Sequence, residues 1–302
     1  MQLQHKYLKV EQTRIHYVEA KPEKPKGSVI FLHGFPEYWG TWQAQLEYFS
    51  EHYRVIAPDL PGYNLSDKPQ TEDFFQLTHL VEFMAKFVQA LAPNEKVYLV
   101  AHDWGGVIAW PLAAFYPHLF EKLVIINAAH PSIFTREMIS NPVQRQKSQY
   151  IHDLIAEDGV KHIAADNFAY LRREIFGGMP RGTLSEEQKQ AYQQVWSQPG
   201  AADGMLQYYR VMPQLAPSGM AESDAGGPLT ETTAMKIPNI RISLTTLILW
   251  GEQDQAFVVE NTQGLEDYVT DCTIKRFPIA SHWLQHELPD EVNREIAHFI
   301  SH

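Results

Sequence analysis

Two rhythms of apolar and polar residues alternate along most of this chain. Short apolar runs recur at Ser28 to Leu32, Tyr53 to Ala57, Val97 to Ala101, Leu123 to Asn127 and Leu244 to Trp250. They are too short for helices and predict buried strands. Between them lie helical stripes. From Thr78 to Leu91 the apolar residues fall at 80, 81, 84, 87, 88 and 91, the spacing of one helix face. Thr41 to Phe49 reads as a short amphipathic helix. Tyr7 to Glu19 alternates as two short antiparallel strands, broken near Glu11-Gln12. A helix near Glu260 to Val269, a strand from Cys272 to Phe277 and a helix from Asp290 to Ile300 close the chain. Strands alternating with helices predict a mostly parallel sheet covered on both faces.

The alternation stops between Ala128 and about Ser243. That stretch is rich in aromatics and glutamines and predicts helices such as Val143 to Ile155 and Ser185 to Trp196. Gly219 to Pro228, glycine-rich with small polar residues, reads as a flexible excursion. An insertion between two sheet strands sits over the sheet's carboxyl edge, where sites in such folds lie, so the block is expected to be a cap.

One stretch carries the chemistry. Val97 to Ala101 runs into His102-Asp103-Trp104-Gly105-Gly106 and on into the helix-compatible Val107 to Ala114. A strand, a tight turn and a helix with a reactive side chain at the tip form a nucleophile elbow. The frame Ala101-His102-Asp103-Trp104-Gly105 puts a carboxylate where the usual pattern has serine. A serine needs a base before it can attack. An aspartate, with a reference pKa of about 3.9, is already an anion at neutral pH. It can attack saturated carbon directly and form an alkyl ester, which leaves a base free to activate water in a second step.

Candidate partners follow later strands. Trp250-Gly251-Glu252-Gln253-Asp254 places two acids just past a strand end; Asp254 is the choice to orient a histidine, with Glu252 its competitor. His282, in Ser281-His282-Trp283, follows the last strand, whereas His286 and His298 fall at helical positions and read as surface residues. The order Asp103, Asp254, His282 is that of the α/β-hydrolase triad. Early in the chain, His33-Gly34-Phe35-Pro36 follows a strand. The Phe35 amide, with that of Trp104, is placed to form an oxyanion hole; His33 reads as structural.

Composition narrows the alternatives. A net charge of −11 over 302 residues argues against a nucleic-acid surface or an anionic membrane surface. Cys272 is the one cysteine, so no internal disulfide forms and a reducing, cytoplasmic compartment is expected. Met1 to Val10 lacks a signal-peptide core, and no apolar run reaches bilayer-spanning length. No zinc-type spacing appears.

Together, His33-Gly34-Phe35-Pro36-Glu37, His102-Asp103-Trp104-Gly105-Gly106, Trp250-Gly251-Glu252-x-Asp254 and Ser281-His282-Trp283 resemble the epoxide hydrolase branch of the α/β-hydrolases, over nearly the whole chain. The resemblance implies an α/β-hydrolase core over residues 1–128 and 244–302, with a mainly helical cap over 129–243. It implies that two cap tyrosines hold the epoxide oxygen. Gly204-Met205-Leu206-Gln207-Tyr208-Tyr209-Arg210 resembles the second of their motifs and points to Tyr209. Ser148-Gln149-Tyr150 resembles the first and points to Tyr150. Asp103 is then the nucleophile, His282 the base, Asp254 its orienting acid, and Phe35, Pro36, Trp104 and the two tyrosines line the substrate site. The implied partners are a small hydrophobic epoxide and water, with no metal or organic cofactor, in a monomer or homodimer. A haloalkane dehalogenase shares the nucleophile and base, but a halide leaves without an acid, and Phe35 stands where that branch commonly has asparagine. A binding protein on an inactive hydrolase scaffold predicts a gap in this machinery, and each expected group is present.

Overall fold

The computed structural model describes residues 2–212 and 235–302; the excursion read at Gly219 to Pro228 lies outside them. Eight strands form one sheet: β1 (Gln4–Val10), β2 (Thr13–Ala20), β3 (Ser28–Leu32), β4 (Arg54–Pro58), β5 (Val97–His102), β6 (Phe120–Ile126), β7 (Thr246–Gly251) and β8 (Cys272–Phe277). Their order is β1-β2-β4-β3-β5-β6-β7-β8. β1 and β2 are antiparallel, as are β2 and β4, and every later pair is parallel.

The strands read as continuous apolar runs because both faces of the sheet are covered. Alternate residues of one strand point to opposite sides and feed two separate cores. Ile30 and Leu32 of β3, with Leu99 and Ala101 of β5, join one core. That side carries helices Leu77–Leu91 and Trp104–Phe115, whose Leu80, Met84, Phe87, Ile108 and Leu112 are buried there. Val29, Phe31, Val100, Val124 and Ile126 face the other side, against α1 (Gln43–Phe49) and the last helix, Pro289–Ser301, through Leu46, Phe49, Val292 and Ile296.

From the end of β6 to the start of β7 the chain leaves the sheet and runs through helices Pro131–Ser140, Pro142–Lys147, Tyr150–Ile155, Gly159–Gly178, Glu186–Trp196 and Ala201–Arg210. The predicted helix over Val143 to Ile155 is two short helices, divided at Ser148-Gln149. Helix Gly159–Gly178 is interrupted where Asp166, Asn167 and Phe168 adopt left-handed backbone. After β7, the helix predicted over Glu260 to Val269 is not formed. Two 3₁₀ turns, Val259–Thr262 and Leu265–Asp267, take its place. Gly264 between them has φ +77°, a conformation glycine supplies and a continuing helix excludes.

The helical layer meets the core most closely at two glycines. Gly62, at φ +90°, and Gly204 of Ala201–Arg210 approach backbone to backbone; a β-carbon on Gly204 would lie 2.4 Å from the Gly62 carbonyl oxygen. Nearby, the Tyr208 hydroxyl donates to the Pro61 carbonyl at 2.7 Å. Among the described residues, no helix is long and apolar enough to cross a membrane.

Candidate active site

β3 and β5 are parallel neighbours, with Leu32 opposite Ala101, while the chain after β3 first crosses to β4 on the far side. The strand order therefore reverses between β3 and β5, which opens a crevice at their carboxyl ends. The sequence-predicted residues converge there: Phe35 follows β3, Asp103 follows β5, Asp254 follows β7 and His282 follows β8.

Asp103 stands at the strand-to-helix turn with φ 49° and ψ −122°, a strained backbone for a non-glycine residue and a common mark of functional sites. The turn fits because its neighbours are small. A β-carbon on Gly105 would lie 2.3 Å from the Leu32 carbonyl oxygen, so the turn and β3 approach each other directly. The Phe35 amide donates to Asp103 Oδ1 at 2.6 Å, and Asp103 Oδ2 faces His282 Nε2 at 3.7 Å. On the other side of the imidazole, His282 Nδ1 pairs with Asp254 Oδ2 at 2.8 Å. Asp254, rather than Glu252, is the acid that meets the histidine.

Asp254 is 2% exposed and saturated with donors. Its Oδ1 accepts from the Ala256 and Phe257 amides at 2.7 and 2.9 Å. Its Oδ2 also accepts from Asn127 Nδ2 at 2.7 Å. Burial alone would raise this carboxyl; the His282 charge and the hydrogen bonds from His282, Asn127 and the Phe257 amide draw it below its ordinary value. His282 is buried too, which would lower its pKa. The Asp254 carboxylate, with Asp103 and Glu37 behind it, overrides that and raises it to about 9.

Tyr150 and Tyr209 stand over this pair. Their hydroxyls share a hydrogen bond and their rings meet edge to face at 6.2 Å. Phe35 and Trp104 brace Tyr209 edge-on at 5.1 and 5.2 Å. Burial pushes both phenols up; the Asp103 carboxylate adds to this at both, and Tyr150 adds to it at Tyr209. Both therefore hold their protons at neutral pH. Two cavities meet at Asp103, Tyr150 and Tyr209. One, of about 270 Å³, is lined by Pro36, Gln146, Lys147 and Trp283 among others. The other, of about 80 Å³, is apolar and lined by Leu80, Val107, Phe134 and Ile151 among others.

Several participants carry no sequence motif. Asn127, just past β6, clamps the acid's strand end: Nδ2 donates to the Gly251 carbonyl and its Oδ1 accepts from the Gly251 amide. Its position at the end of a buried strand, one register step from His102, was the available signal. His286, expected at the surface, is part-buried and turns its side chain inward, 6% exposed. It sits 2.8 Å from Glu37 Oε1, beside the Tyr192 hydroxyl, which donates to the same oxygen at 2.9 Å. His102 reaches the other Glu37 oxygen at 3.2 Å and the His282 carbonyl at 2.9 Å. Burial would raise Glu37, but His102 and His286 hold it well below the usual carboxylate range. Helical spacing marks a face, and here that face is turned toward a buried carboxylate rather than solvent. His33 is structural, accepting from the Leu60 amide at 3.0 Å. His298 is exposed.

An α/β-hydrolase fold model matches residues 27–289. The chain is 33% identical to epoxide hydrolase 2 of Caenorhabditis elegans, over 98% of this chain and 80% of that protein. It is 32% identical to epoxide hydrolase 4 of Mus musculus, over 98% of this chain and 79% of that one. The solved structure of the Bacillus megaterium epoxide hydrolase in complex with an inhibitor superimposes with a TM-score of 0.86 at 32% identity, covering 98% of this chain and all of that one. The chain belongs to the α/β-hydrolase family, in its epoxide hydrolase branch.

Proposed function

We propose that the protein hydrolyses epoxides to vicinal diols through an ester on Asp103, under a cap formed by the helices between β6 and β7. The observation that carries this reading is the pair of protonated phenols facing a carboxylate across a cavity. An epoxide opens to an alkoxide, a strong base that leaves only with an acid at hand. A halide needs none, so the phenols favour an epoxide over a haloalkane.

In the first step Asp103 attacks a ring carbon and the carbon–oxygen bond breaks. Tyr150 and Tyr209 hydrogen-bond the departing oxygen and pass it a proton. In the same event the Asp103 charge becomes a neutral ester. His282, protonated while it faces two carboxylates, loses one of them and with it much of its hold on the proton. That proton replaces the one the phenols give up, so charge and protons balance. Neutral His282, oriented by Asp254, then takes a proton from water. The hydroxide attacks Cγ of Asp103. Negative charge gathers on Oδ1, where the Phe35 amide already donates and the Trp104 amide opens the helix Trp104–Phe115. The Cγ–O(alkyl) bond breaks, the leaving alkoxide takes the proton of the newly formed Asp103 carboxyl to give the diol, and Asp103 returns as a carboxylate beside protonated His282.

The single cysteine and acidic composition fit a reducing compartment such as the cytoplasm. A single turnover in heavy-oxygen water tests the mechanism. The label is expected in Asp103, not in the diol; diol labelled in the first cycle would mean that water attacked the substrate itself.

A further inference from the structure

Between the acid's loop and Tyr150 stands a side chain that the mechanism above does not use. Gln144, in the helix Pro142–Lys147, is fully buried. Its Nε2 donates to the Ala256 carbonyl at 2.9 Å and to the Ser148 hydroxyl at 3.1 Å. Its Oε1 accepts from the Val258 amide at 3.1 Å and from Asn261 Nδ2 at 2.8 Å. A carboxamide offers two donors and two acceptor sites, and all four are occupied. Ala256, Val258 and Asn261 belong to the stretch that follows Asp254. The Ala256 amide, on the same residue whose carbonyl Gln144 holds, donates to Asp254 Oδ1. At the end of the helix, Lys147 Nζ donates to the Asp254 carbonyl at 2.5 Å. Three residues further on, Tyr150 opens the next helix.

We propose that Gln144 is a positioning residue that fixes the turn aiming Asp254 at His282 and, through its own short helix, joins that turn to the segment carrying Tyr150. The proposal rests on the roles given above to Asp254, His282 and Tyr150. Its physical basis is the two-point grip on Ala256 and Val258, which copies a strand-to-strand pairing at a place where the sheet has ended. Without it, the buried Ala256 carbonyl and Val258 amide lose these partners, and Ser148 and Asn261 each lose one of two. The turn relaxes, and the carboxylate is free to swing away from the imidazole. Misplacement of a reacting group by about 1 Å costs on the order of a hundredfold in rate.

The test uses Gln144→Met, of similar length but without these hydrogen bonds, and Gln144→Asn, whose amide is too short to reach the turn. The first readout is the titration of His282, followed by NMR on the full chain without substrate. The second is single-turnover kinetics with styrene oxide, separating ring opening from ester hydrolysis. Both variants are expected to titrate His282 at lower pH than the parent and to slow ester hydrolysis about tenfold or more, with ring opening also slowed. A folded variant with the parent's His282 titration overturns the proposal. So does a loss of rate that tracks thermal stability alone, with the titration unmoved. If neither variant folds cooperatively, Gln144 is a folding residue, and the proposal is again overturned. The titration needs no substrate, so it judges the grip on Asp254 even if styrene oxide leaves no adduct on a His282→Gln protein. That last result would instead sink the epoxide reading.

Discussion

Replacing Asp103 with asparagine removes one negative charge at nearly constant shape, the same change that ester formation makes. In the resting protein His282 Nε2 lies 3.7 Å from Asp103 Oδ2, both side chains largely buried. At an effective dielectric constant of about 20, two unit charges at that distance attract by about 4 kcal/mol. That energy corresponds to about three powers of ten in proton affinity. Solvent at the partly open edge of the carboxylate trims it. Asp254 raises His282 more than Asp103 does, so the midpoint, about 9 in the parent, is expected to fall by about one pH unit or more in Asp103→Asn. The assay is NMR titration of the imidazole, with mass spectrometry verifying that the new amide remains intact. The consequence for turnover is direct. In the proposed mechanism His282 would be a poor base until the substrate is attached and a good one afterwards, so the water-activating step would be switched on by the step before it. An unchanged midpoint in Asp103→Asn would refute this reasoning, because the base would then be indifferent to the nucleophile's charge.

His282→Gln is expected to accumulate the alkyl-enzyme, seen as a mass increase equal to the epoxide; no adduct with a reactive epoxide counts against the two-step scheme. Tyr209→Phe should slow ring opening by about tenfold to a hundredfold, and unchanged single-turnover rates would remove it from the site. His130, buried and desolvated, has its pKa lowered to about 3, so only the unfolded chain takes up its proton between about pH 6.5 and 3. Its contribution to stability is therefore present above pH 6.5 and lost as pH falls, by about 2 kcal/mol at pH 5. Urea unfolding of His130→Phe should show a correspondingly weaker loss between pH 6.5 and 5, and equal slopes would contradict the assignment. His282 has the opposite sign: raised to about 9, it stabilises the fold fully below pH 6.5, and that contribution is lost as pH rises through 9.

Much of this was legible before any coordinates. The sheet could be read because its strands are covered on both sides, which leaves uninterrupted apolar runs such as Val97 to Ala101. The site could be read because Asp103, Asp254 and His282 each end or follow such a run, so a linear order stands for a spatial cluster. What stayed hidden depends on partners far away in sequence. Nothing local distinguishes Asn127 or Gln144 from any other amide; their meaning lies in the backbone of residues 251 and 256–258. His286 shares its apparent surface spacing with His298, yet Glu37, some 249 residues earlier, draws it inward. The region from Glu260 to Val269 shows helix-compatible composition, and a single left-handed glycine at 264 overrides it.

The bare meeting of Gly62 and Gly204 also bears on how the upper layer can shift. Two peptide planes in contact, with no side chain between them, have no slack to take up sliding or tilt. Whatever rocking lets a guest in must hinge about that spot, as a door turns on its jamb. Tyr209, five residues along the same helix, would then travel little, and so would Tyr150, whose ring stands 6.2 Å from it. The two phenols would stay beside each other as one unit near the pivot, and any wider travel would belong to parts of the layer more distant from Gly62.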